Sequence, residues 1–475
     1  MYVIVCPKCG VRNSITGATD SKKRYLCGKC GTMLPAATKT TNGEAAVGAI
    51  TRPLDRERQE DAKVSKSATS YSLPTRVLSW FKIRENQAVL SLVLLALLLH
   101  LVVLSSAQGL VFDERYYVPE ARSIIDQRAV LFPEHPSLGK LFIVSGMLAL
   151  GDNPWGWRIA PVIFGVSLLV IYYLICRRLT KKRAALLACF LLVSESLTYA
   201  ISGVAMLDVF YLTFMLLAFL LYLKDRYVLS GLSLALSALC KLTGVLGIFV
   251  ILIHWLIWKR KQPLRNIALF ALVALAAFLV LLPVSDFLAS GHWMSPIDRL
   301  SQMSELSRAM TIEKAKIQTP EFISYPWTWI LSPRGYGEED FLGYRQIINP
   351  ALWVVIIPTM GYMLYDFIRR RSNVSLFVLL WFAACYLVWI PIVLLTQRAT
   401  FIYYFYPSVG AVCLGAGFAI SRMWDLASTA RSVLHRQLIK VAVVGYLALN
   451  VIMFLLFSPV LALLSSDFWA SNTLR

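Results

Sequence analysis

"NQAVLSLVLLALLLHLVVLSSAQGLVFDE", residues 86–114, decides how this chain is built. The run up to Ala107 is apolar and long enough to cross a bilayer core of ~30 Å. It ends on an acidic pair, Asp113 and Glu114. Working outward, similar apolar stretches recur near 87–107, 157–176, 184–203, 206–223, 228–240, 243–258, 265–285, 349–367, 375–395, 401–420 and 439–460. The expectation is an all-α polytopic membrane protein with about eleven transmembrane helices. Composition agrees: 57% of the 475 residues are hydrophobic and the mean hydropathy is +0.63, more apolar surface than a soluble domain could cover.

The net charge of +20 falls in short clusters between the spans. These are "CRRLTKKR" (176–183), "KDR" (224–226), "KRKQPLR" (259–265), "RRR" (369–371) and the basic stretch 421–440, which alternation of the spans places on one side. The positive-inside rule makes that side cytoplasmic, so the charge speaks for topology rather than for a nucleic-acid partner. The expected arrangement is a multi-pass plasma-membrane protein with its N-terminus in the cytoplasm. Two long loops, 108–156 and 286–348, then lie on the outer face with most of the remaining polar residues. One segment breaks the pattern. Residues 230–258 would be one very long helix, yet basic clusters flank both ends, so two short helices must meet near Lys241. The first apolar span lies beyond ~85 polar residues, so no cleavable signal peptide is expected.

That polar N-terminal region holds "CPKC" and "CGKC", separated by 17 residues. Cys6, Cys9, Cys27 and Cys30 match the C-x2-C…C-x2-C spacing of a zinc ribbon, in which four thiolates close a tetrahedral structural site. The expected domains are a ribbon over 1–34, a flexible linker over 35–84 and a membrane domain over 85–475. The other five cysteines are scattered through apolar segments and read as packing residues.

Polar residues gather on the expected outer face. Asp113 and Glu114 follow the first span, in a loop whose "VPEARSIIDQRAVLF" has the apolar spacing of an interfacial helix. Arg158 opens the second span, Asp208 lies near the start of the fourth, Lys241 is at the helix break and Arg398 is in a short turn. A carboxylate base beside cations that clamp a phosphate suggests group transfer from a lipid phosphate carrier.

Eight short motifs in order carry a resemblance: "FDE", "EHPSLGK" (134–140), "NPWGWRI" (153–159), "AMLD" (205–208), "KLTG" (241–244), "SYPWTW" (324–329), "INPALW" (348–353) and "RATFIYYFYP" (398–407). Together, over roughly residues 85–460, they resemble the dolichyl-phosphate-mannose-dependent protein O-mannosyltransferases. The resemblance implies a GT-C membrane glycosyltransferase that moves mannose, with inversion, from a polyprenyl or dolichyl phosphate to Ser or Thr hydroxyls of proteins. It implies Asp113 as general base and Glu114 as its support or as a group positioning the acceptor. Arg158 would bind the carrier phosphate, Arg398 and Lys241 would assist, and His135 and Lys140 would shape the floor of the loop. The scheme requires no catalytic metal. Two departures stand out: Ser137 replaces the family's second proline, and residues 286–348 leave no room for the sugar-binding trefoil of eukaryotic members. A sister reading keeps donor and base but passes the sugar to a lipid or a cell-wall glycan. A transporter or scaffold would instead line a path across the membrane with its charges.

Overall fold

The computed structural model describes residues 2–5, 12–15, 81–106, 109–318, 323–332 and 345–462. The chain divides into two compact units, Met1–Lys82 and Ile83–Arg475. In the first, β1 (Tyr2–Val5) pairs antiparallel with β2 (Arg12–Ile15), Tyr2 opposite Ile15. The connection between the strands contains Cys6 and Cys9; all four ribbon cysteines lie outside the described residues.

Among its described residues the second unit is helical apart from two isolated bridges, Thr311 with Arg398 and Ile323 with Phe401. Helix α1 (Arg84–Ser106) is followed by α2 (Glu114–Gln127), α3 (Leu138–Leu150) and α4 (Pro154–Leu179). Next come α5 (Lys182–Val193), α6 (Ser196–Ser202), α7 (Asp208–Leu223), α8 (Tyr227–Cys240), α9 (Gly247–Trp258) and α10 (Leu264–Ser290). The long loop after α10 holds α11 (Pro296–Ala309), α12 (Ile312–Gln318) and α13 (Thr328–Leu331). The chain ends with α14 (Pro350–Trp353), α15 (Ile356–Arg370), α16 (Asn373–Phe382), α17 (Trp389–Thr396), α18 (Tyr406–Thr429), α19 (Val433–Leu456) and α20 (Pro459–Ala462).

Every one of the eleven expected spans is helical, but eleven is too many by length. Among the described residues seven helical stretches are long and apolar enough to cross a membrane, or eight if α5 and α6, bent by 65° at their junction, form one span. Helices α7, α8 and α9 have 16, 14 and 12 residues, and at ~1.5 Å per residue each falls short of a ~30 Å core. The break near Lys241 is present: α8 stops at Cys240, Lys241 is extended, and a 3-10 turn over Leu242–Leu246 leads into α9.

Burial separates centre from rim. The stretch Ile402–Thr429 is 89% buried, whereas Val433–Leu456 and Leu264–Ser290, at 17% and 22%, turn leucines such as Leu272 and Leu275 outward. That is the pattern of a bundle whose solvent on the rim is hydrocarbon. Close approach is built in at "GDNPWGW". A Cβ on Gly146 would lie 2.3 Å from the Gly156 carbonyl oxygen, and one on Gly156 would lie 2.0 Å from that of Gly151. Only glycine lets α3 fold back against the start of α4, where Asn153 caps α4 by accepting from the Trp155 and Gly156 amides.

The α5–α6 bend is held by a buried polar hub. Glu195 caps α6 by accepting from the Leu197 and Thr198 amides and also takes the Asn349 amide at 3.0 Å. The Asn349 side chain donates to the carbonyls of Ser194 (2.7 Å) and Asn450 (3.0 Å), and Ser194 donates to the Asn450 side chain. This ties the "INPALW" segment to α5 and α19. Asn349 is fully buried, so Asn349→Ala removes its two donated bonds and its cap of the Ala351 amide where no water replaces them. Unfolding in detergent should become easier by ~1–3 kcal/mol, measured as a lower melting midpoint.

Candidate active site

The polar residues gathered at one end of the bundle sort into two groups by partner. The first is a frame of buried ion pairs. Glu114 accepts from Arg158 through both oxygens, at 2.8 Å from Nε and 2.6 Å from Nη2, and both side chains are wholly buried. Glu114 also takes the amides of Val111 (3.0 Å) and Ala205 (2.8 Å), while Arg158 donates to the Gly109 carbonyl. Lys140 donates to Glu120 (2.9 Å) and to the Phe132 carbonyl, again fully buried. Lys241 holds both oxygens of Asp208 at 3.0 and 2.8 Å, with its ammonium 5.0 Å from the Tyr403 ring centre. Arg299 and Asp286 form the fourth pair at 2.8 Å.

The sequence reading assigned Arg158 to the carrier phosphate and Glu114 to the acceptor or to support of the base. In the structure the two bind one another and have no exposed surface. Arg158 and Glu114 therefore build the loop that presents Asp113. Their absorption follows from burial: an unpaired charge in that place would be far costlier than a paired one.

The second group is what the frame leaves over. Asp113 is the N-cap of α2, partly exposed, and its carboxylate makes no hydrogen bond or salt bridge among the described residues. The residue before it, Phe112, has φ +50°, a left-handed backbone that a bulky side chain rarely adopts, so the turn is strained in order to place Asp113. The Val111 amide on Glu114 and the Glu114 amide on the Val111 carbonyl hold it closed. Burial pushes the Asp113 carboxyl up to about 6; Lys241 opposes the rise, and Asp208 and Glu134 add to it. The group thus sits nearer neutrality than a free aspartate, as suits a general base.

His135 and Glu134 are half-buried on the turn before α3. The imidazole is pushed well below its ordinary range, first by burial and then by the positive charges of Lys241, Lys140, Arg398 and Arg299. Of these four cations, Lys241, Lys140 and Arg299 are each paired with a carboxylate of the frame. Arg398 is partly exposed; one guanidinium nitrogen donates to the carbonyl and hydroxyl of Ser307. Its strand is held on both sides: Ile312 N–H donates to Gln397, Ala399 N–H to Met310 and Ser324 N–H to Thr400. The structure thus brings Asp113, His135, Asp208, Lys241 and Arg398 to one end of the bundle. Sequence reasoning missed Asp286, Arg299 and the aromatic cover of Tyr403 and Tyr404 over Lys241. The signal for Arg299 was its place one turn before Met303 on an otherwise polar helix; both are buried.

Comparison with known proteins bears on this site. A family model described as dolichyl-phosphate-mannose-protein mannosyltransferase matches residues 134–286. A polyprenol-phosphate-mannose–protein mannosyltransferase of Corynebacterium glutamicum is 24% identical over 446 residues, covering 74% of this chain and 84% of that protein. An undecaprenyl phosphate-alpha-4-amino-4-deoxy-L-arabinose arabinosyl transferase of Pseudomonas aeruginosa is 33% identical over 165 residues, 32% of this chain and 30% of the other. The S. cerevisiae protein O-mannosyltransferase Pmt1-Pmt2 complex bound to the sugar donor superposes with a TM-score of 0.63 at 13% identity, over 83% of this chain and 92% of that one. The chain is a multi-pass membrane glycosyltransferase with the GT-C fold.

Two outcomes follow from the geometry. Arg158→Met should destabilise the protein by ~3–5 kcal/mol by stranding Glu114, and adding Glu114→Gln should recover part of the loss, both read from melting in detergent. Transfer should fall as pH drops through about 6, where Asp113 takes up its proton. Glu134→Gln removes a charge that raises this titration, so the acid limb of the pH–rate profile should move to lower pH.

Proposed function

We propose that this glycosyltransferase moves mannose from a polyprenyl-phosphate carrier to serine or threonine hydroxyls of proteins on the outer face of the membrane, inverting the anomeric centre. The observation that carries the reading is Asp113: a strained turn presents a carboxylate that no described residue pairs, beside Lys241 and the turn of His135, inside a frame whose carboxylates Glu114, Glu120, Asp208 and Asp286 are each paired. The acceptor oxygen attacks C1 of the sugar, the bond from C1 to the phosphate oxygen breaks, and the hydroxyl proton passes to Asp113. The carrier leaves as a phosphate monoester with the bonding electrons, and Asp113 later returns its proton to water. A base held in place contributes ~10²–10⁴-fold.

Of the cations named from the sequence, Arg398 is the best placed to meet the leaving phosphate. Among the described residues its guanidinium bonds run through one nitrogen to Ser307, which leaves the rest of the fork for bidentate contact. Lys241 is held by Asp208 and contributes through the field it sets up across His135 and Asp113. The clustered basic residues of the opposite loops support a cytoplasmic N-terminus. There Cys6, Cys9, Cys27 and Cys30 would bind structural zinc, since four thiolates leave no position open for chemistry. A second reading keeps a polyprenyl-phosphate donor but passes a related sugar to a lipid or cell-wall glycan; the likeness to the Pseudomonas aeruginosa transferase, named for an undecaprenyl phosphate aminoarabinose, supports the related sugar.

Membranes carrying the wild-type chain or Asp113→Asn, given labelled polyprenyl-phosphate mannose, separate these readings. Label in protein that falls ~10²-fold or more with the asparagine supports the proposal. Asp113-dependent label in lipid or glycan selects the second reading, and transfer that ignores the substitution removes Asp113 as base.

A further inference from the structure

Glu134 and His135 are aimed at the site without any side-chain anchor of their own: neither side chain makes a hydrogen bond among the described residues. Their direction must come from the backbone of the turn that carries them. That backbone is gripped from a distant element. Arg299 of α11 donates through Nη1 to the Pro133 carbonyl and to Gln302 Oε1, and through Nη2 to the His135 carbonyl at 2.9 Å. Its Nε donates to Asp286 Oδ2 at 2.8 Å, and Asp286 Oδ1 accepts from the Ser137 hydroxyl at 2.5 Å. Asp286 stands near the end of α10 and Arg299 in the first turns of α11, with Gly291 (φ +73°) turning the chain between them. Arg299 and Asp286 are 4% and 6% exposed and Ser137 is fully buried, so all three groups lie out of water.

One guanidinium and its carboxylate therefore hold two carbonyls and one hydroxyl of residues 133–137, the three points that fix such a turn in space. We propose that the Asp286–Arg299 pair is a positioning clamp that sets the height and direction of His135 and Glu134 relative to Asp113. This rests on Asp113 being the base. The pair touches no reacting atom; it acts through the turn. Ser137, standing where the resembling family has proline, adds a third point of attachment in place of a stiff ring. Glu134 shifts the titration of Asp113, and His135 faces the charges of Lys241, Lys140, Arg398 and Arg299. A turn displaced by about 1 Å disturbs both, and such a misplacement typically costs on the order of 10²-fold in rate.

The test is steady-state transfer by the full chain in detergent or vesicles, with melting measured on the same preparations. The clamp predicts that Arg299→Ala lowers kcat on the order of 10²-fold while KM for the lipid-linked donor stays within about twofold. Arg299→Lys, which restores the charge but reaches fewer partners, should recover part of the rate, and Asp286→Asn should fall between wild type and Arg299→Ala. The acid limb of the pH–rate profile should also move in Arg299→Ala, because the distance from Glu134 to Asp113 changes. A folded Arg299→Ala with unchanged kcat, a loss of kcat matched by loss of folded protein, or a donor KM that rises as much as kcat falls each overturns the clamp. Asp113→Asn is assayed beside it. An inactive Asp113→Asn with a fully active Arg299→Ala refutes the clamp alone, whereas an active Asp113→Asn refutes the assignment of the base on which it rests.

Discussion

The fully buried pair of Glu114 and Arg158 is the contact on which the Asp113 end of the molecule depends. Two charges removed from water are tolerated only when they meet in good geometry with their remaining valences filled. Here Glu114 takes two guanidinium bonds and two backbone amides, so both its oxygens are occupied. The amides come from Val111 and Ala205, segments on either side of the site. One carboxylate thereby joins the end of the first span, the start of the second span and the loop before α7. The left-handed backbone at Phe112 is affordable only inside such an over-determined turn.

The same constraint sorts the rest of the polar residues. Glu120 with Lys140, Asp208 with Lys241 and Asp286 with Arg299 repeat the arrangement, each carboxylate fixed by a cation from a neighbouring element. Each pair braces the elements it joins. The groups outside the pairs, Asp113, Glu134, His135 and part of Arg398, can still exchange protons or meet a ligand.

Much of this was legible in the chain, and the illegible part has a physical cause. Apolar runs and basic clusters placed helix in all eleven expected spans and found the break at Lys241, because both signals are local in sequence; α3 and the loop helices α11, α12 and α13 were not among those spans. The number of membrane-crossing helices was not local. A run of 14 apolar residues such as α8 looks the same whether it crosses a bilayer or packs inside a bundle, and only its neighbours decide. The charged residues that gather at this end stood out as a set because each is a charge beside an apolar run, which is anomalous anywhere. Their pairing was hidden. Nothing in "FDE" or "WGWR" says that Arg158 faces Glu114 rather than a phosphate, since either partner would satisfy it. Arg299 was missed because an arginine in a polar helix is ordinary until its face is known to be buried.

The short helices bear on how a glycosyltransferase can serve two solvents. Helices α7 and α8 have 16 and 14 residues, ~24 and ~21 Å at ~1.5 Å per residue, against the ~30 Å of hydrocarbon they would need to cross. Asp208 opens the first and Lys241 follows the second, so the charged pair stands where the two helices stop. If the other ends of α7 and α8, where the basic "KDR" joins them, lie at one membrane boundary, the pair sits several ångströms below the opposite one. Irregular backbone and charge at that depth are stable only where protein or water surrounds them. The aromatic faces of Tyr403 and Tyr404 over Lys241 supply part of that cover. On the proposed reading, a site at this level meets a phosphate at the head of a membrane-held chain and a hydroxyl arriving from water, and the shortness of these helices is what would bring Asp113 to both.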